Sequence, residues 1–144
     1  MKPLLLVACV GLLLLHARPA RAQEGFRIIV NSANPVSVLK NGDASKLFLR
    51  KQGKWASGQP VQPVDQVESS AVRRAFSQAV NGMDVPSVKS YWQEIVFSGK
   101  GEPPVEKPSD ADVIAYIKAN PDGIGYVSAA AAASAGVKVV ALTQ

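Results

Sequence analysis

Leu47–Phe76, LFLRKQGKWASGQPVQPVDQVESSAVRRAF, is the stretch on which the reading of this chain turns. It holds a helix end at Leu47-Phe48-Leu49, a basic loop closing on Trp55, a short β run at Val61–Val64, and a second helix opening at Ser69-Ser70. Pro63 removes a ladder donor from the β run, so this strand is expected at an edge or in a broken ladder. Beyond it, Val72, Phe76 and Val80 recur every fourth residue, the spacing of one helix face. A strand feeding a helix start brings unpaired N–H groups and the positive end of the helix dipole to one point. That is the outline of an anion site. Its candidate residues are Ser69, Ser70 and Ala71 in the first turn, with Arg73 and Arg74 behind them.

Outward from this stretch, strands and helices alternate. Phe26–Val30 (FRIIV) is a β-rich run closed by the turn residues Asn31-Ser32-Ala33-Asn34-Pro35. Asp43 is placed to cap a short helix through Leu47, with Gly53 beyond its end. After Asn81-Gly82, Asp84 or Ser87 opens a helix with Val88, Trp92, Ile95 and Val96 on one face, followed by an irregular loop at Phe97–Pro104. Ser109-Asp110-Ala111-Asp112 has a capping-box outline and opens a helix that packs Val113, Ile114 and Ile117. Ile124–Val127 reads as a strand. The alanine-rich Ser128–Ala135 is expected as a small helix capped by Gly136, and Val137–Leu142 closes as a strand. The expectation is an α/β fold, a small mixed sheet flanked by helices, with helices outnumbering strands.

The amino end reads differently. Lys2 is a short positive region, Leu4–Leu15 an apolar run, and Ala20-Arg21-Ala22 presents small residues before a cleavage point between Ala22 and Gln23. The apolar run falls short of the roughly 20 residues a spanning helix needs. Residues 1–22 are therefore expected to be a signal peptide and 23–144 one exported domain without stable membrane insertion. Leu6-Val7-Ala8-Cys9 resembles a lipoprotein cleavage pattern, but Cys9 lies too early to leave an apolar core ahead of it. Loss of the first 22 residues removes Cys9 and His16, the chain's single cysteine and histidine. Neither a disulfide nor a Cys or His metal site is then open to the mature domain, and no cofactor is expected. Its charge is modest and dispersed, which argues against nucleic acid. An enzyme is not expected.

Other residues carry competing readings. Ser69 or Ser70 is either an anion contact or a plain helix cap. Arg73 and Arg74 either answer an anion or form a solvated helix face. Gly99-Lys100-Gly101 is either a nest of N–H donors or a surface turn; it lacks the spacing of a nucleotide loop. Trp55, Tyr91 and Trp92 are able to stack a ring, but Trp92 is expected in the core. Asp110 and Asp112 suit the positive end of a helix better than an acid–base pair.

The order IIVN, LFLRKQGKW, Ser70 with Phe76, Trp92, FSGKG and GIGYV resembles the substrate-binding proteins of phosphate ABC transporters, as a short relative with one lobe. The resemblance implies a periplasmic-binding-protein-like lobe in the periplasm. It implies that the lobe binds phosphate or another small oxyanion for an ABC transporter or a sensor partner. The alternative is a non-catalytic protein–protein interaction module derived from such a lobe. By the same resemblance, Ser70 falls on the family's serine, Ala71 and Val72 fall where Gly-Thr would stand, and Gln66 takes the place of an arginine.

Overall fold

Alternate residues of the first strand separate to opposite faces of a sheet. Ile28 and Val30 enter one apolar cluster and Ile29 another, as the two-residue period of a strand dictates. The computed structural model describes residues 25–133 and 136–144. The expected signal segment and its Ala22–Gln23 junction lie outside the described residues. In chain order the elements are β1 (Arg27–Asn31), β2 (Val38–Lys40), α1 (Asn41–Phe48), β3 (Gln62–Gln66) and α2 (Ala71–Phe76). A π-helical turn (Ser77–Asn81) continues α2, followed by α3 (Val85–Phe97), β4 (Val105–Lys107), α4 (Asp110–Ala119), β5 (Gly123–Val127) and β6 (Val137–Thr143).

The six strands form one mixed sheet in the order β2-β6-β1-β5-β3-β4. β1 runs antiparallel to both β5 and β6, whereas β3 is parallel to β5 and to β4. The carboxyl ends of β3, β4 and β5 therefore share one edge. Pro63 marks the break that its sequence predicts. β3 is registered with β5 only at Gln62 and Pro63, and with β4 from Val64 to Gln66.

One face of the sheet is covered by α1, α2 and the π-helical turn. Phe76 stacks on Tyr126 with centroids 3.9 Å apart and planes at 5°, and Phe26 and Phe48 meet Phe76 edge-on. Each such fully buried side chain contributes about 1.5–3 kcal/mol. The other face carries α4, with Val113 and Ile117 over Ile29, Val64 and Val127. Gly125 lets α4 come close: a Cβ there would lie 2.6 Å from Val64 Cγ1 and 2.9 Å from Val113 Cγ1. Asn31 fastens the far end of α4, its amide donating to the carbonyls of Ile117 and Lys118 at 2.9 and 3.1 Å.

The mixed α/β sheet and its flanking helices match the expectation, with four differences. Strands outnumber α-helices among the described residues, six to four. β2 and β4 are three residues each, too short to show a period, and both lean on parallel neighbours. Residues 129–131 form a turn, and 128, 132 and 133 are irregular, instead of the expected helix. Alanine propensity is a weak prior there, because a short unnucleated segment gains little from it; residues 134 and 135 lie outside the description. Asp43 sits inside the first turn of α1 and pairs with Lys46 at 3.2 Å, while Lys40 holds the cap position without a side-chain bond. Among the described residues, no helix is long and apolar enough to cross a membrane.

Candidate functional site

At the carboxyl edge of β3, β4 and β5 two helices begin, α2 after β3 and α4 after β4. Each start is capped by a serine. Ser70 Oγ accepts from Arg73 N at 3.2 Å, and Ser109 Oγ accepts from Asp112 N at 3.2 Å. Capping serines are preferred because their oxygen satisfies one of the orphan donors of the first turn. Ala71 follows the Ser70 cap as the first residue of α2, and Ser69 and Ala71 are both exposed.

Gln66, at the end of β3, joins the two helix starts. Its amide donates to Asp110 Oδ1 at 2.8 Å and to Tyr126 O at 3.1 Å, and its oxygen accepts from Ser70 Oγ at 2.7 Å. Ser128, just past β5, closes the circle with its hydroxyl and N–H on Asp110 at 2.6 and 3.2 Å. The amide, together with the Tyr126 hydroxyl on Asp65 and Gln66 N, thus replaces the backbone pairing that β3 and β5 lose after Pro63. Asp110 does more than complement a helix dipole, since it receives three donors from two other segments.

The two neighbouring arginines part company. Arg74 is exposed and donates to Ser69 O at 3.0 Å. Arg73 overturns the expectation of a solvated face: it is only 3% exposed. Lying three residues before Phe76, it shares the inward side of the helix. Its Nη1 donates to Gln66 O and to Glu106 Oε1, each at 2.5 Å, and its Nη2 lies 3.4 Å from Asp65 Oδ2. Nε has no acceptor. Asp65 Oδ1 also accepts from the Tyr126 hydroxyl and from Gln66 N.

Charge in this buried group is governed first by desolvation. Burial raises the Asp65 carboxyl above the usual carboxylate range, against the pull of Arg73 and two hydrogen bonds. Burial, then the negative charge of Asp65, pushes the Tyr126 phenol well up, so it stays protonated. Burial opposes the charge on Arg73, but Asp65 and Glu106 together raise its pKa. The guanidinium is a fixed cation.

The structure brings Ser69, Ser70, Ala71 and Arg74 to one exposed helix start and turns Arg73 behind it. The Ser70 hydroxyl is engaged with Arg73 N and Gln66. The Gly99-Lys100-Gly101 loop is no open nest, because Gly99 N and Lys100 N are taken by Val96 O and Ile95 O at the end of α3. Trp55 is buried with Nε1 on Asp122 O at 3.0 Å, and Trp92 lies in the interior as expected. Sequence reasoning missed Asp65, Glu106, Tyr126 and Ser128. One signal was available: Asp65 shares strand parity with Val61 and Pro63, so a charge at an inward position called for a buried partner. Among the described residues, no cluster of His, Cys, Asp and Glu suits a metal ion.

No protein-family model and no curated protein matches the sequence. Solved structures do match the fold. An ABC-type phosphate transport receptor from Vibrio cholerae aligns over 83% of this chain and 46% of its own, at 18% identity and a TM-score of 0.66. A phosphate ABC transporter substrate-binding protein from Clostridium perfringens, solved with bound phosphate and described as putative, aligns over 83% and 45%, at 19% identity and a TM-score of 0.67. A possible phosphate binding protein from Planctomyces limnophilus aligns over 84% and 42%, at 16% identity and a TM-score of 0.64. The chain spans less than half the length of each of these receptors, and over that span it has their fold.

Proposed function

We propose that this chain is an exported solute-binding lobe, without catalytic activity, that takes phosphate or another small oxyanion at the start of α2. Two partners fit this reading, an ABC transporter or a sensor protein. The observation that carries it is the likeness to phosphate-transport receptors, one of them solved with phosphate. The chemistry of the edge supports it. The exposed first turn offers the N–H groups of Ser69 and Ala71 beside the Arg74 guanidinium, whereas Ser70 N–H is taken by Val67 O and Arg73 is committed to Asp65 and Glu106. Binding on one open wall is expected to be weak, since water competes for every donor.

The test is NMR shift mapping of the isolated protein with inorganic phosphate and sulfate. Saturable shifts are expected at residues 69–74 in the millimolar range. Ser70→Asp keeps a good cap but sets a negative charge in the site, and it should abolish those shifts while leaving the fold intact. No shift at these residues with either anion overturns the reading. An interaction module is the second reading, favoured by Phe97, which is 94% exposed at the end of α3.

A further inference from the structure

A cleft of about 290 Å³ opens between α3 and the segment entering β4, on the outer side of Arg73. Its walls are apolar: Trp92, Val96 and Phe97 from α3, and Pro103 and Pro104 opposite. Its polar part comes from Asp65, Arg73 and Glu106, with Glu68 and Lys89 at the remaining side. An apolar hollow with a few convergent polar groups has the composition of a small-molecule site.

The carboxyl groups of this cleft differ in how far they are enclosed. Lys89 is matched by Glu68 at 3.1 Å. Arg73 alone stands between Asp65 at 3.4 Å and Glu106 at 2.5 Å. Burial favours the protonated form of Asp65, which leaves Glu106 as the accessible carboxylate at the apolar walls. Arg73 engages its Oε1, and the side chain is 45% exposed, whereas Arg73 and Asp65 are nearly enclosed. Apolar walls beside that carboxylate reduce screening by water and strengthen its pull on a cation.

We propose that this cleft binds a small apolar amine, its body held between Trp92, Phe97 and the two prolines and its ammonium on the Glu106 carboxylate. The site is separate from the start of α2 and takes ligands of the opposite charge. Its success or failure is therefore independent of the oxyanion reading.

Phenethylammonium, phenethyl alcohol and phenylacetate share one apolar body and differ in charge. Each is titrated into isotopically labelled protein in phosphate-free buffer, and the amides of 92–97 and 104–106 and the Trp92 indole are followed. The amine should give saturable shifts there and bind about fivefold tighter than the alcohol, the range of a half-exposed ion pair. Phenylacetate should bind more weakly than either. Glu106→Gln, with its fold checked by the dispersion of the same spectra, should bring the amine down to the affinity of the alcohol. Absence of saturable shifts with the amine overturns the proposal. So does equal binding of amine and alcohol to the unmodified protein, a comparison that needs no variant.

Discussion

α2 and α4 begin at the same edge of the sheet, behind the same kind of serine cap, yet their first turns are filled differently. α4 carries Asp110 and Asp112 in its opening turn, and α2 carries no acidic residue. The positive end of α4 is therefore answered by its own chain, and Asp110 is further tied to Gln66 and Ser128. The exposed start of α2 has hydroxyls, small side chains and Arg74 in its opening turn, and its nearest acidic residue in sequence, Glu68, precedes the cap and pairs with Lys89. A helix start is available to a ligand only where the sequence has not already supplied the anion.

The largest effect should separate the two arginines that follow the start of α2. Arg73→Met strands Asp65 and Glu106 without their cation and is expected to cost about 3–5 kcal/mol. Arg74→Met should stay within about 0.5 kcal/mol. Urea unfolding of both variants decides it, and similar losses would erase the distinction. Next comes the seat of α4. Gly125→Ala forces a methyl against Val64 and Val113 and should cost about 1–3 kcal/mol; an unchanged midpoint would show that α4 can lift off freely. Third, Ser70→Ala and Ser109→Ala each remove a cap, at about 1 kcal/mol apiece. The loss should be larger at Ser70, whose hydroxyl holds the buried Gln66, than at Ser109, whose hydroxyl meets the exposed Asp112.

The last test is pH. Because burial raises the Asp65 carboxyl above its ordinary 3.8, the folded chain holds that proton more tightly than the unfolded chain. Its contribution to stability is full below the unfolded value and is lost as pH rises through the folded one. Urea midpoints followed upward from acidic pH should show this decline in the natural chain, and Asp65→Asn should flatten it. An equal slope in both would place the titration elsewhere.

Much of this architecture was legible in the residues. The Val72, Phe76 and Val80 spacing marked the inner face of the second helix, and Ser70, Asp84 and Ser109 stood where caps belong. Pro63 announced a divided ladder. What stayed hidden depends on distance in sequence. β4 is defined by parallel pairing with a strand some forty residues earlier, and three residues carry no period of their own. Asp65, Arg73, Glu106 and Tyr126 belong to four separate elements, so no local window contains the group. Arg73 shows the limit most plainly. Next to the exposed Arg74 it looks like half of a charged surface pair, and only the carboxylates that meet it in space explain its burial.

The division of the sheet at Pro63 has a mechanical consequence. On one side of that residue, β3 and β5 are zipped by main-chain bonds that cannot be released singly without moving the strand. On the other side they are buttoned by side chains, the Gln66 carboxamide on Tyr126 O and the Tyr126 hydroxyl between Asp65 and Gln66 N, and a button yields to any competing donor or acceptor that reaches it. The edge at which a solute would arrive is thus the compliant end of the domain, and its stiffness is set by the side chains of Gln66 and Tyr126.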